Sequence, residues 1–153
     1  MLGADQFIDN GMTVLDTIHA IQAAKGIPVL PWGFGKWFGS RGKIIHQLIQ
    51  ARETPPLLLG DNSNRPNFWI NPVYLKQARK QAIKILPGTD PLPLVKEASR
   101  PGRFGFQIQG TLDLDTPGSS LKDILLDSTI QIQPYGALEN PLIFLQNQLK
   151  IRF

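Results

Sequence analysis

The sequence predicts an α/β fold, a mostly parallel sheet of about four to five strands with flanking helices, like half of a (β/α) barrel. Three observations lead there. Three short apolar runs lack the alternation of a half-exposed strand, which is how a strand buried on both faces reads. A helical pattern separates each run from the next. The run centres, Val29, Leu58 and Ile85, lie roughly 27 to 29 residues apart, the size of one βα unit. Strands joined by helices through right-handed crossovers point the same way.

Residues 1–11 show no period. Residues 13–25 form an amphipathic helix, with Val14, Ile18 and Ile21 on one face, Thr13 placed as its cap and Lys25-Gly26 as its stop. The first strand follows over 27–31, with Pro28 at its start, where a missing N–H is tolerated. The segment from Pro31 to Lys43 holds four glycines, two tryptophans and three cations in thirteen residues. Each glycine adds conformational entropy that folding must remove, so this is a costly connection and reads as a cationic, backbone-rich site. A second helix over 43–52 carries Ile44, Ile45, Leu48 and Ile49.

The second apolar run, 55–60, ends in a polar loop of turn formers from Asp61 to Pro66. Asn71-Pro72 supplies a cap and a first helical residue for a helix over 73–82 that turns Lys76, Arg79 and Lys80 outward. A third strand over 83–86 ends in Pro87-Gly88-Thr89-Asp90. A short helix over 94–99 is stopped by Pro101-Gly102. Phe104, Phe106 and Ile108 then alternate, so residues 104–109 form a fourth, half-exposed or edge strand. Ser119 or Ser120 caps a helix over 121–126, residues 129–133 are a weaker strand, and Asn140-Pro141 opens a last helix over 142–150 with Leu145 and Leu149 inward. No low-complexity linker divides the chain, so a single domain over 1–153 is expected.

Composition narrows the function. With 42% apolar and 18% charged residues the chain suits a globular domain, and its +4 net charge is spread, without the block of like charges that marks a nucleic-acid tail. It has no cysteine, hence no disulfide, thiolate metal site or cysteine nucleophile. No apolar run reaches the length of a membrane span, and the N-terminus lacks the pattern of a secretory leader, so a cytoplasmic protein is expected.

Three strands thus end in polar loops. The first gives Trp32, Gly33, Gly35 and Lys36, the second Asp61, Asn62 and Arg65, the third Thr89 and Asp90. In a parallel sheet the carboxyl ends of the strands share one edge, where ligands bind. Two carboxylates, a cation and an exposed glycine backbone are expected to meet there. Each also has a plainer reading: a structural glycine turn packed by tryptophans, an Asx-turn at Asp61-Asn62, a helix cap at Asp90, solvated helix-start cations at Arg41 and Lys43. The glycine loop has neither Walker A nor dinucleotide-fold spacing. His19 and His46 fall inside helices, away from the strand ends, and no His-x-His occurs. Asp61 and Asp90 alone would hold Mg²⁺ weakly, with water completing the shell.

The runs Ile27-Pro28-Val29-Leu30-Pro31-Trp32-Gly33, Leu57-Leu58-Leu59-Gly60-Asp61-Asn62 and Leu86-Pro87-Gly88-Thr89-Asp90 resemble late βα units of a metal-dependent hydrolase barrel, of the polymerase-and-histidinol-phosphatase or the amidohydrolase type. The resemblance spans roughly residues 12 to 95. It implies Asp90, in its Gly-Thr-Asp context, as a metal or catalytic residue. The early His-x-His strand of those families is missing, and proline and leucine follow Asp90 where a histidine commonly stands. One expectation is therefore the C-terminal half of a longer barrel protein; others are a complete open-sheet domain or a half-barrel that dimerises over its edge.

The leading expectation for function is a hydrolase-like domain acting on an anionic or phosphorylated small molecule. Asp90 and Asp61 would serve as metal or acid–base groups and a divalent ion as the cofactor, while Lys36 and Arg65, with Trp32, Gly33, Gly35, Arg41 and Asn62, would hold the ligand. The alternatives are an anion-binding module without catalysis and a subunit that completes a partner's sheet; whether the chain is an enzyme stays open.

Overall fold

Helix α1 (Val14–Ala23) starts where Thr13 is extended and its hydroxyl accepts the Asp16 N–H at 3.2 Å. It ends in a Schellman turn: the Lys25 and Gly26 N–H groups bond the carbonyls of Gln22 and Ile21 at 2.8 Å each. The left-handed residue of that turn is Lys25, at φ +53°, and not the glycine. Gly26 is needed for space instead, since a Cβ there would lie 2.8 Å from the Ala4 side chain. The structure is a computed structural model that describes residues 1–51 and 57–152.

Strands β1 (Val29–Pro31), β2 (Leu58–Asn62) and β3 (Ile85–Gly88) form a parallel sheet in that order, Val29 opposite Leu58 and Asn62 opposite Gly88. Helices α2 (Gly39–Ala51) and α3 (Val73–Lys80) are the crossovers. One core layer joins Trp32, Trp37, Ile45, Ile49, Leu59, Leu75 and Ala78. A second, around Ile27, Leu58, Leu86 and Leu125, lies under Phe106 and Ile132. Helix α2 begins four residues before the expected 43, inside the glycine segment; Arg52, its expected last residue, and Pro55-Pro56, the expected start of the second strand, lie outside the described residues. Asn71 does not cap α3: Pro72 holds the cap position, and the Asn71 carboxamide accepts from Arg79 at 3.2 Å.

The strands do not form the expected mostly parallel sheet of four to five: three are parallel and two stand apart. The alternating segment forms β4 (Phe104–Gln107), which pairs antiparallel with β5 (Gln133–Gly136) in a sheet of its own. Strand β5 lies four residues later than expected, and the helix over 94–99 shrinks to a 3₁₀ turn at Val95–Glu97. Helix α4 (Pro117–Leu126) lies between the two strands, and α5 (Pro141–Arg152) closes the described chain. On α5 the inward residues are Phe144 and Asn147; Leu145 and Leu149, expected inward, are 57% and 52% exposed.

Candidate functional site

Strand β2 does not stop at Gly60. It continues through Asp61 and Asn62, paired with Pro87 and Gly88 of β3, and five consecutive polar residues, Asp61 to Arg65, are buried at its end. Side chains alternate along a strand, so Asp61 and Asn62 leave on opposite faces. Asp61 turns toward a groove of about 570 Å³ beside Arg79 and Lys84. Asn62 turns toward a cleft of about 290 Å³ at the carboxyl ends of the strands.

Asp61 and Arg65 hold each other. Arg65 Nε donates to Asp61 Oδ1 at 2.8 Å and Nη2 to Oδ2 at 2.6 Å, a bidentate fork with both side chains almost fully buried. The Asn62 N–H adds a third bond to the carboxylate at 3.0 Å, and Arg65 Nη1 donates to the carbonyls of Trp69 and Ile70. Both residues, expected at the site, are engaged with each other, and neither lines the cleft.

The cleft does gather all three strand-end loops. Trp32, Gly33, Phe34 and Lys36 come from the first, Asn62 and Asn64 from the second, Asp90 and Leu92 from the third. Helix α5 closes the far side with Phe144, Gln148 and Ile151. Asn62 is the hub. Its Nδ2 donates to the Trp32 carbonyl at 2.8 Å and to Asp90 Oδ2 at 3.2 Å, while its Oδ1 accepts the Asn64 N–H at 3.1 Å. One buried carboxamide thereby sets the spacing of all three loops.

Asp90 sits at φ +43°, a backbone conformation uncommon outside glycine and here directly before Pro91. Two asparagines hold it there: Asn64 Nδ2 bonds its carbonyl at 2.5 Å and Asn62 bonds one carboxylate oxygen. The residue is exposed, and Asn64 Oδ1 is buried with no partner among the described residues. Thr89, just before it, is pinned from the other side. Its hydroxyl donates to the Phe104 carbonyl at 2.9 Å, and its carbonyl accepts from Ser63 Oγ at 2.8 Å.

The glycine segment is a turn packed by aromatic rings. Trp37 Nε1 donates to the Pro31 carbonyl at 3.1 Å, Trp32 meets Trp69 edge-on at 5.8 Å, and Phe34 meets Phe144 edge-on at 5.1 Å. Gly35, at φ +75°, supplies a backbone conformation that other residues resist. The stem of Lys36 lies over Gly33, where a Cβ would come within 2.7 Å of its Cδ. Gly35 and Arg41 do not line the cleft; Arg41 borders a separate apolar groove.

Sequence reasoning missed Phe34, Asn64, Phe144 and Gln148 at this cleft. The signal for Asn64 was present, an amide in the same loop as Asn62; nothing in the α5 sequence points to the strand ends. His19 and His46 are exposed, His46 sharing a hydrogen bond with Gln77 at 3.0 Å. Among the described residues no three His, Cys, Asp or Glu side chains gather as metal ligands, and no helix is long and apolar enough to cross a membrane. No family model matches the chain, and neither a curated protein nor a solved structure matches it.

Proposed function

We propose that the protein binds a small molecule with an anionic group at one end and hydroxyl or ammonium donors at the other, in the cleft at the carboxyl ends of β1, β2 and β3. The observation that carries this is Asp90: a carboxylate in a left-handed backbone, fixed by two buried asparagines, facing the same cleft as Lys36. Strain held by surrounding structure is characteristic of ligand sites. Asp90 accepts the ligand's donors, Lys36 attracts its anion, and Trp32, Phe34 and Phe144 wall the carbon skeleton.

Binding without hydrolysis is favoured over metal-dependent hydrolysis because Asp61, the second carboxylate that reading needs, has both oxygens on Arg65. The two asparagines turn their amide N–H groups toward Asp90, while a divalent cation needs oxygen ligands.

The test is thermal stabilisation by glycerol 3-phosphate, inorganic phosphate and glycerol, each at millimolar concentration. Glycerol 3-phosphate stabilises most. Asp90→Asn weakens it about tenfold, and Lys36→Ala removes the advantage of glycerol 3-phosphate over glycerol. No stabilisation by any of the three, or stabilisation indifferent to both substitutions, overturns the proposal. Metal-dependent turnover of a phosphate ester, lost in Asp90→Ala, would restore the hydrolytic reading.

A further inference from the structure

A second concavity, a groove of about 490 Å³, runs between the start of α1, strand β1 and helix α2. Leu30, Trp37 and Ile45 make its floor, and Ile44, 44% exposed, stands on its rim. The charged residues that line it are Lys36 and Arg41, and no acid lines it.

The charge around the groove is one-sided. Residues 26–51 contain no Asp or Glu, and no ion pair among the described residues engages Lys36, Arg41 or Lys43. Arg41 stands in the first turn of α2, where the helix dipole already places positive charge and ordinary helices prefer acids. Thr13, at the α1 side of the groove, donates its hydroxyl to the Asp16 carboxylate at 2.6 Å, so the acid next to the groove stands on the α1 side, while Lys36 and Arg41 line the groove itself. An apolar floor lined by Lys36 and Arg41, and by no acid, selects an apolar segment with acidic flanks.

The backbone says which form that segment takes. Leu58 N–H bonds the Pro28 carbonyl and Trp32 N–H bonds the Gly60 carbonyl, so alternate residues of β1 face β2 and Val29 and Pro31 face outward. Pro31 has no N–H, and its carbonyl accepts from Trp37. The outer edge of β1 therefore offers Val29 alone, too little for an added strand. We infer that the groove docks an amphipathic helix of a partner protein, apolar on one face and acidic on its flanks. The groove shares Lys36 with the ligand cleft, and its own cation is Arg41.

The test is a phage-displayed library of amphipathic helices with a fixed Leu/Ile face and randomised flanks, selected on the full chain and counter-selected on Ile44→Asp. Ile44 is exposed, so that variant keeps the fold. Survivors carry Glu and Asp at the flanks in excess over Lys and Arg. A fluorescein-labelled survivor binds with an affinity that falls as salt rises, and Arg41→Glu, which the helix dipole tolerates, weakens it about tenfold. Neutral or basic flanks, or no survivors, overturn the inference. So does a dimer in light scattering that Ile44→Asp dissociates, because a second copy would then fill the groove.

Discussion

At the scale of single residues, the two aspartates that look alike in the sequence differ most in the structure. Both follow an apolar run in the sequence, and nothing in composition separates them. Asp61 is 6% exposed and Arg65 4%, tied by a two-point fork. Removing one partner leaves a buried charge unpaired. Arg65→Met is expected to cost about 3–5 kcal/mol in urea unfolding, and Asp61→Asn a similar amount. The double variant should recover much of the loss, since a neutral pair carries no stranded charge. A cost below about 1 kcal/mol for either single change would mean that water reaches the pair. Asp61 was legible as a strand-end residue but not as a salt-bridge partner, because the strand runs two residues further than its apolar letters. That extension sends Asp61 to the opposite face from Asn62. The left-handed backbone of Asp90 was not legible at all: it is imposed by Asn64 and Asn62, which lie 26 and 28 positions earlier.

Elements were legible where burial alone decided them. The three parallel strands follow from non-alternating apolar runs, and α1 from its period and cap. Helix α5 was read by the wrong face. Its apolar residues surround it nearly evenly, so periodicity could not choose, and the choice fell to Phe34, which draws Phe144 inward at 5.1 Å. Helix α4 shows the same dependence on a distant element. Lys84, beside β3, donates to the carbonyls of Ile124, Leu125 and Asp127 and so satisfies the helix's C-terminal end. The aspartates flanking α4 are tuned locally. The hydroxyl and N–H of Thr129 hold the Asp127 carboxyl below its ordinary value, as the Asp115 N–H and Thr116 hydroxyl do for Asp113. A carboxyl with a depressed folded pKa contributes stability that is fully present above its unfolded pKa, near 4, and is lost as pH falls through the folded value. Wild type should therefore exceed Asp127→Ala in stability at neutral pH, and the difference should shrink as pH drops below about 4. A difference that grows on acidification would contradict this assignment.

At the scale of the molecule, the question is what joins the parallel sheet to the β4–β5 pair and α5. No apolar pattern announced it, and the expectation of one larger sheet arose because alternating strands were assumed to add to the same edge. Beside the apolar layer under Phe106 and Ile132 and the Thr89–Phe104 bond, Arg100 adds a charged join between the β2 loop and the start of α5. It bonds Glu97 at 3.3 Å, Glu139 before α5, and Ser63 of the β2 loop at 3.4 Å, while the Glu139 N–H bonds the Arg65 carbonyl at 3.0 Å. Burial works against the Arg100 charge, but the hydrogen bond and charge of Glu139, with those of Glu97, outweigh it and raise the guanidinium pKa. Glu97 and Glu139 are 2% and 6% exposed, so two buried carboxylates rely on one cation. Arg100→Met would strand both and should cost about 3–5 kcal/mol, at least as much as losing Arg65, which leaves only one. Glu139→Gln should cost less, because the remaining pair is then neutral as a whole. Ser63 also fixes the Thr89 carbonyl, next to Asp90, so Arg100→Met should weaken glycerol 3-phosphate binding without touching the ligand. The measurement is urea unfolding of both variants beside ligand titration of the folded protein. Arg100→Met unfolding no more easily than Glu139→Gln would show that the carboxylates find other partners and that the charged join adds little to the packing between the sheet and the β4–β5 pair.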